Sequence, residues 1–285
     1  MENKNIQVVR TVADLRSAVA AFRAKGKTVA LVPTMGNLHD GHLSLVREAR
    51  RHADVVCATI FVNPTQFGPT EDFDSYPRTF DADRAMLESE SVEIVYTPTV
   101  SEMYPDGFAT AVSVTGITDC LCGQARPTHF QGVATVVTKL LLQALPDVAV
   151  FGEKDFQQLQ VIRRLVTDLD IPVEIVGSAT WREADGLAMS SRNRYLSDRE
   201  RAIAPMLHQC LTQLATKITP GTDVCPLIEE AIKALVDAGF AKVDYLELRK
   251  ECGLGLLSQY QGEEARLFVA AHLGKARLID NVKIR

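Results

Sequence analysis

The sequence predicts an α/β fold, a doubly wound parallel sheet with a second, smaller α+β C-terminal domain. Three observations predict it: β-rich apolar runs alternate with helical patterns between residues 28 and 176, two of the strand-to-helix junctions carry glycine, and beyond residue 197 the alternation gives way to two longer helices followed by β-like runs. Apolar strands separated by helices form parallel sheets covered on both faces, and such sheets bind ligands at the carboxyl ends of their strands.

Each element has its own signal. Thr11-Val12-Ala13-Asp14 has capping-box character, and Val12, Leu15, Val19 and Phe22 recur at helical spacing until Gly26, which predicts a first helix. A strand at 28–32, a helix at 42–51, a strand at 55–62, a helix at 81–89 and a strand at 92–96 follow. The alternation resumes with a helix at 133–144, a strand at 148–151, a helix at 155–169, and a strand at 173–176 that Gly177 closes. Helices at 198–218 and 223–238 then precede β-like runs at 243–248 and 266–271. The change of pattern divides the chain into domains at 1–187 and 188–285. Stretches 63–79, 101–131 and 179–197 are long for plain connectors, and long loops in compact domains are usually functional.

Composition narrows the function. With 285 residues, 46% of them hydrophobic and 24% charged, the chain can bury a substantial core. A formal net charge of −5 gives no basic field, so nucleic acid is not an expected partner. The start, Met1-Glu2-Asn3-Lys4-Asn5, is polar with no apolar run after it, and no stretch approaches membrane-spanning length; a cytoplasmic chain with no membrane partner is expected. Cys57, Cys120, Cys122, Cys210, Cys225 and Cys252 lack CxxC spacing and read as free thiols. Cys120 and Cys122 have no second pair to complete a zinc site.

Gly26-Lys27-Thr28 imitates the end of a P-loop, but Ala21 stands where that motif needs glycine and a strand follows instead of a helix. The stronger signal is Met35-Gly36-Asn37-Leu38-His39-Asp40-Gly41-His42, which leads from a strand into a helix. Helix N-termini present N–H groups and partial positive charge to an anion. His39 and His42, three residues apart, share a face if both lie in the first turn, and Gly36 and Gly41 permit close approach of backbone to ligand. Two imidazoles at a helix end suit the phosphates of a nucleotide and the charge that develops during attack on them. The bland alternative is a pair of surface or metal-binding histidines.

Phe151-Gly152-Glu153-Lys154-Asp155-Phe156-Gln157-Gln158 repeats the logic: Gly152 frees the backbone, Lys154 offers a point charge, and Asp155 is placed to cap the next helix. An ordinary solvated turn is the alternative. Met189-Ser190-Ser191-Arg192-Asn193 offers hydroxyls and a guanidinium on a loop, or is a polar linker. Gln66 and Gln158 can bind the hydroxyl and carboxylate of an acid, or are surface residues. Tyr76-Pro77-Arg78-Thr79 and Arg126-Pro127-Thr128-His129-Phe130 read as structural rather than chemical. Asp81 and Asp83 are conceivable metal contacts, explained equally well as solvated acids at a helix start; the residues name no metal site.

Taken together, MGNLHDGH, FVNPTQF, YPRT, FGEKDFQQ and MSSRN, in this order and spacing, resemble the pantothenate synthetase (pantoate–β-alanine ligase) family over essentially the whole chain. The resemblance implies a Rossmann-like domain with a smaller C-terminal domain, a homodimer, and ATP as substrate entering with Mg²⁺. It implies a two-step reaction: pantoate attacks the α-phosphate of ATP to give pantoyl adenylate and pyrophosphate, and β-alanine then attacks the acyl carbon to give pantothenate and AMP. By resemblance the nucleotide site is Met35, Gly36, Asn37, Leu38, His39, Asp40, Gly41, His42, Gly152, Glu153, Lys154, Asp155, Trp181, Met189, Ser190, Ser191 and Arg192. His42 is the proton donor, with His39 and Lys154 as its catalytic companions. Gln66 and Gln158 match the pantoate contacts, and Gln66 also the β-alanine contact. Ala188-Met189-Ser190-Ser191-Arg192 is similar to the synthetase KMSKS loop, with Ala188 and Ser191 where that motif has lysines, which leaves Arg192 and Lys154 as cations. Thr128 stands where the family usually has Gly, and Trp181 where a smaller or aliphatic residue is expected. The competing expectations are a nucleotidyltransferase that releases a stable nucleotidyl product, and a non-catalytic nucleotide-binding module.

Overall fold

The structure is a computed structural model that describes residues 6–69, 71 and 73–284. The chain forms two compact units, one built from the residues up to Thr115, Arg126–Glu153 and Val161–Ala179, the other from Gly116–Ala125, Lys154–Gln160 and Thr180 onward.

The first unit begins with strand β1 (Gln7–Val9), which no sequence pattern announced. Helix α1 (Val12–Arg23) is capped by Thr11, whose hydroxyl oxygen accepts from the Asp14 amide at 3.1 Å, and it buries Leu15, Ala18 and Val19. Then come β2 (Val29–Thr34), α2 (Asp40–His52), β3 (Val55–Ile60), α3 (Phe80–Ser89), β4 (Ile94–Tyr96) and the one-turn helices α4 (Val100–Met103) and α5 (Cys122–Ala125), the latter belonging to the second unit. Helix α6 (His129–Ala144) starts four residues earlier than its apolar repeat suggested, β5 is Val148–Gly152, α7 is Phe156–Asp168, whose residues up to Gln160 belong to the second unit, and β6 is Glu174–Ser178. Among the described residues the strands of this unit form one sheet in the order β1-β4-β3-β2-β5-β6, with every neighbouring pair parallel. The central strands read as continuous apolar runs because both faces are covered: Val29, Ala30, Leu31 and Val32 are wholly buried. The fold is the doubly wound, Rossmann-like sheet that the alternation predicts.

In the second unit the long helix expected at 198–218 is two, α8 (Asp198–Ile203) and α9 (Met206–Lys217). Pro205 between them has no N–H to donate and its ring clashes with the preceding turn, so the helix cannot run through it. A reciprocal Ser197–Glu200 capping box starts α8. Helix α10 (Cys225–Ala238) ends at Gly239, whose φ of 115° is the left-handed C-cap that glycine adopts without strain. Strands β7 (Lys242–Lys250), β8 (Ala265–Leu273) and β9 (Ala276–Lys283) form an antiparallel sheet. The third of these was not anticipated, because Asp280 and Asn281 interrupt its alternation. Leu207, Leu211 and Leu214 of α9 and Leu235 of α10 pack with Leu246, Leu248, Leu267 and Val269 of the sheet to make this unit's core.

Candidate active site

Strands β2 and β5 are neighbours at the centre of the sheet. From β2 the chain winds outward through β3, and from β5 it winds the other way through β6, so the two carboxyl ends flank the point where the winding reverses. Open α/β sheets bind ligands at that crevice. The loop after β2 carries Met35 to His39, and the residues after β5 begin at Glu153. The two motifs the sequence singled out therefore leave adjacent strands on the same edge.

His39 is the N-cap of α2, extended at φ −150° and ψ 173° with no side-chain cap bond, and Asp40, Gly41 and His42 form the first turn. The imidazoles of His39 and His42 lie with centroids 4.1 Å apart and both are half-buried. The helix start thus presents two donor-capable rings beside the positive end of the helix dipole.

The loop ahead of them is held from beneath. Gly36 has φ 80° and Asn37 φ 51°, the left-handed region that glycine and, less readily, asparagine adopt. Asp83 of α3, 2% exposed, accepts the amides of Asn37 at 2.9 Å and Leu38 at 2.8 Å, and the Thr79 hydroxyl at 3.1 Å. A Cβ on Gly36 would lie 2.9 Å from Asp83 Oδ2, so the loop can sit on this carboxylate only with glycine there. The expectation for Asp83 as a solvated acid or metal contact is corrected: it is buried and engaged with backbone, whereas Asp81 is exposed as expected. The same contacts correct a simple picture of the anion site, since the Asn37 and Leu38 amides point at Asp83.

Gln66 lies in a 3₁₀ turn, Pro64–Gln66, capped by Asn63. Its Nε2 donates to Met35 Sδ at 3.1 Å and its Oε1 accepts from Asn63 Nδ2 at 3.1 Å, which puts the glutamine head group against the nucleotide-type loop. Asn63, 1% exposed, also donates to the Gly132 carbonyl at 3.2 Å and accepts from the Tyr104 hydroxyl at 2.8 Å. The sequence reading missed Asn63 as a site component, though an Asn before Pro is a turn signal that could have drawn attention to it. Helix α6 approaches this turn so closely that a Cβ on Gly132 would overlap the Thr65 carbonyl oxygen and lie 2.7 Å from Gln66 Cα. His129 Nδ1 is 2.9 Å from the Gln66 carbonyl oxygen, and Arg126 pairs with Glu71 at 2.6 and 2.5 Å. Burial pushes the Glu71 carboxyl up, but the Arg126 guanidinium more than offsets it and holds it below its ordinary range. The structural reading of the Arg126–Phe130 segment fits these contacts. Thr128 has φ −94°, which any residue adopts, so its replacement of glycine leaves the backbone unstrained.

Apart from Gly152 at the end of β5 and Glu153 just after it, the second unit holds the remaining candidates. Lys154 sits in a 3₁₀ turn, Glu153–Asp155, with its side chain 19% exposed and its ammonium 3.9 Å from Asp155 Oδ1. Gln157 is buried and structural: its amide reaches the Ile117 and Cys120 carbonyls at 2.9 and 2.8 Å and the Cys122 amide at 3.0 Å. Gln158, the next residue on α7, is half-buried and takes part in none of those bonds. Trp181, 43% exposed, accepts the Met189 amide at its carbonyl at 3.0 Å. That hairpin leads into a 3₁₀ turn, Ser191–Tyr195, where Ser190 Oγ accepts the Arg192 amide at 3.3 Å. Asn193 ties the turn down through Glu183 at 2.8 Å and the Ala188 carbonyl at 3.2 Å.

Fold and loop together define a class: a Rossmann-like nucleotide-binding enzyme with two histidines in an HxxH frame at a helix start. Comparison with known proteins narrows it. The chain belongs to the pantoate–β-alanine ligase family, whose model matches residues 7–283. The pantothenate synthetase of Paramagnetospirillum magneticum is 55% identical over 279 residues, covering 98% of each chain. That of Novosphingobium aromaticivorans is 52% identical over 283 residues, 98% of this chain and 99% of the relative. Among solved structures, the pantothenate synthetase of Thermus thermophilus superposes with a TM-score of 0.87 at 46% identity over 98% of this chain and 99% of that one. The pantoate–β-alanine ligase of Francisella tularensis, solved in complex with β-γ ATP and β-alanine, gives a TM-score of 0.81 at 33% identity, covering 98% of this chain and 97% of that chain.

Proposed function

We propose that His39, His42, Lys154, Gln66 and Gln158 carry out the family's reaction in this chain. The chain is an enzyme, a ligase that uses ATP to condense (R)-pantoate with β-alanine, giving pantothenate, AMP and pyrophosphate through a pantoyl-adenylate intermediate. The observation that carries the assignment of roles is the contact between Gln66 and Met35, which sets an acid-binding amide directly beside the loop that delivers the two histidines.

In the first step a pantoate carboxylate oxygen bonds to the α-phosphorus as the bond to pyrophosphate breaks. Charge grows on the phosphate oxygens, and donors already oriented toward it lower the barrier without reorganising. His42, with His39 beside it, supplies those donors in the first turn of α2, and Lys154 and Arg192 supply cations. Gly152, Glu153, Asp155, Trp181, Met189, Ser190 and Ser191 complete the nucleotide contacts with Met35 to Gly41. Gln66 and Gln158 hold pantoate, and Gln66 also receives β-alanine. In the second step the amine of β-alanine bonds to the acyl carbon, AMP leaves with the bonding pair, and the amine loses its proton. An uncharged pair of glutamines binds the acid without drawing cations from ATP.

Among the described residues no group of three or more His, Cys, Asp or Glu side chains is arranged to hold a metal ion. Mg²⁺ enters this reading with the ATP substrate, carried on its phosphates, as is common for this ion. No described helix is long and apolar enough to cross a membrane. A cytoplasmic homodimer is the remaining part of the proposal, tested by fractionation and by molar mass in solution.

Two measurements test the assignment. Mass spectrometry of the products from ATP, pantoate and β-alanine should find AMP together with the amide; a persistent nucleotidyl product would place the chain with transferases instead. His42→Ala should lower single-turnover adenylation by about 10²-fold, the size of losing one transition-state donor, with the fold retained. A near-normal rate in that variant would remove His42 from the mechanism.

A further inference from the structure

The last strand of the small sheet carries a buried asparagine that reaches a functional loop. Asn281 of β9 is 3% exposed and follows Asp280, also 3% exposed, so two adjacent polar residues are buried on opposite faces of one strand. Leu278 and Asp280 share a face, and Leu278 belongs to the core beneath α9 and α10. Asn281 lies on the other face, paired across the ladder with Phe268.

The orientation of its amide is fixed by chemistry. Arg266 Nη1 lies 2.5 Å from Asn281 Oδ1, and a guanidinium only donates, so the oxygen must face Arg266. Asn281 Nδ2 is then turned to donate to the backbone carbonyl of Lys154 at 2.9 Å. Arg266 is itself held by Glu251 at 2.9 Å and lies 4.0 Å over the ring of Phe156, two residues beyond Lys154. The segment is therefore gripped at the Lys154 carbonyl and at the Phe156 ring by side chains of one buried network.

Asp280 holds a second loop. It takes both Nη atoms of Arg182 at 2.7 and 2.9 Å, and Arg182 donates in turn to the Gly186 carbonyl at 3.1 Å. Arg182 begins the hairpin bridged to Ala188, directly before Met189 and Ser190. Both loops of this unit that bear candidate cations are thus anchored on adjacent residues of β9.

We infer that Asn281 is a positioning residue for adenylation: by fixing the Lys154 backbone it sets where the Lys154 ammonium can reach. The inference rests on the role of Lys154 given above. It follows from the mismatch between a flexible four-carbon side chain and the need for a charge placed to within a fraction of an ångström, which only a fixed root for that chain can narrow.

The test is a double-mutant cycle on the full chain, read by single-turnover pyrophosphate release from ATP and pantoate. Asn281→Asp keeps the size and the Arg266 partner but cannot donate to the Lys154 carbonyl. Expected are a rate loss of about 10-fold or more with the pantoate KM unchanged, and a further loss of no more than about twofold when the same change is made in Lys154→Ala. Asn281→Ser, too short to reach Lys154, carries the same expectation if Asn281→Asp does not fold. Equal losses in both backgrounds would mark a merely structural asparagine, and no loss in the wild-type background would equally overturn the inference. Full activity of Lys154→Ala alone would overturn both the inference and the role of Lys154, and so identify the failing premise.

Discussion

Asp83 Oδ2 accepts the backbone amide of Asn37 at 2.9 Å, so a carboxylate on one helix fixes the loop that delivers the two histidines of the preceding strand-to-helix junction. The second oxygen takes the Leu38 amide, and the carboxylate is shielded from water. A buried charge is tolerated when donors surround it, and two amides and a hydroxyl do so here.

Asp83→Asn tests this relationship. The amide presents an NH₂ group to one of two backbone donors, so a buried donor loses its acceptor. We expect a stability loss of about 1–3 kcal/mol by denaturant unfolding. The displaced loop should lower adenylation by about 10-fold or more, measured by pyrophosphate release. Unchanged stability would mean that the carboxylate does not hold the loop.

Gly132→Ala addresses the turn that carries Gln66. The added methyl overlaps the Thr65 carbonyl, which is backbone and cannot rotate aside. The variant should lose about 1–3 kcal/mol from overpacking. Because the strain falls on the Gln66 turn, its pantoate KM should rise more than its KM for ATP in steady-state kinetics. An unaltered pantoate KM would separate this packing from acid binding.

Asp280 predicts an acid-side stability profile. Burial pushes its carboxyl up, but the His208 imidazole 3.4 Å away and the hydrogen-bonded Arg182 guanidinium more than offset that and hold it below its ordinary value. A depressed folded-state pKa contributes stability that is fully present above the unfolded value of about 3.9 and is lost as pH falls through the folded value. Unfolding free energy should therefore fall with decreasing pH below about 4, and less steeply in Asp280→Asn. Parallel profiles for the two proteins would show that Asp280 does not contribute to the acid limb.

The thiols should separate by environment. All six cysteines are free; Cys225 and Cys252 are exposed, whereas burial raises the Cys57 thiol to about 12. Thiolate is the reactive form, so a disulfide reagent at neutral pH should modify Cys225 and Cys252 in the folded protein and reach Cys57 only on unfolding. Rapid native modification of Cys57, located by peptide mapping, would contradict the core described for β3.

The alternation of strand and helix was legible because the central strands are apolar on both faces and the intervening helices carry a single apolar stripe. β1 escaped notice because a three-residue strand has too few positions to establish a period, and β9 because Asp280 and Asn281 are buried polar residues whose partners, Arg182, Arg266 and the Lys154 carbonyl, lie far away in sequence. The loops themselves were visible as motifs. What holds them was not: Asp83 could be read as a solvated acid until its distance to Asn37 was known, and nothing local to Asn63 shows that Tyr104 and Gly132 converge on it.

The pairing of β2 with β5 also bears on the order in which the protein is made. Ala30 pairs with Val148, so the two central strands are separated by most of the first unit's sequence, and joining them requires closing a long loop. During synthesis from the N-terminus, a chain that has emerged only as far as β4 already contains His39, His42 and Gln66, but no partner for the open side of β2. Nucleotide capture by a ribosome-bound chain should thus begin only after β5 has cleared the exit tunnel, and its onset with chain length would time the closure of the central sheet.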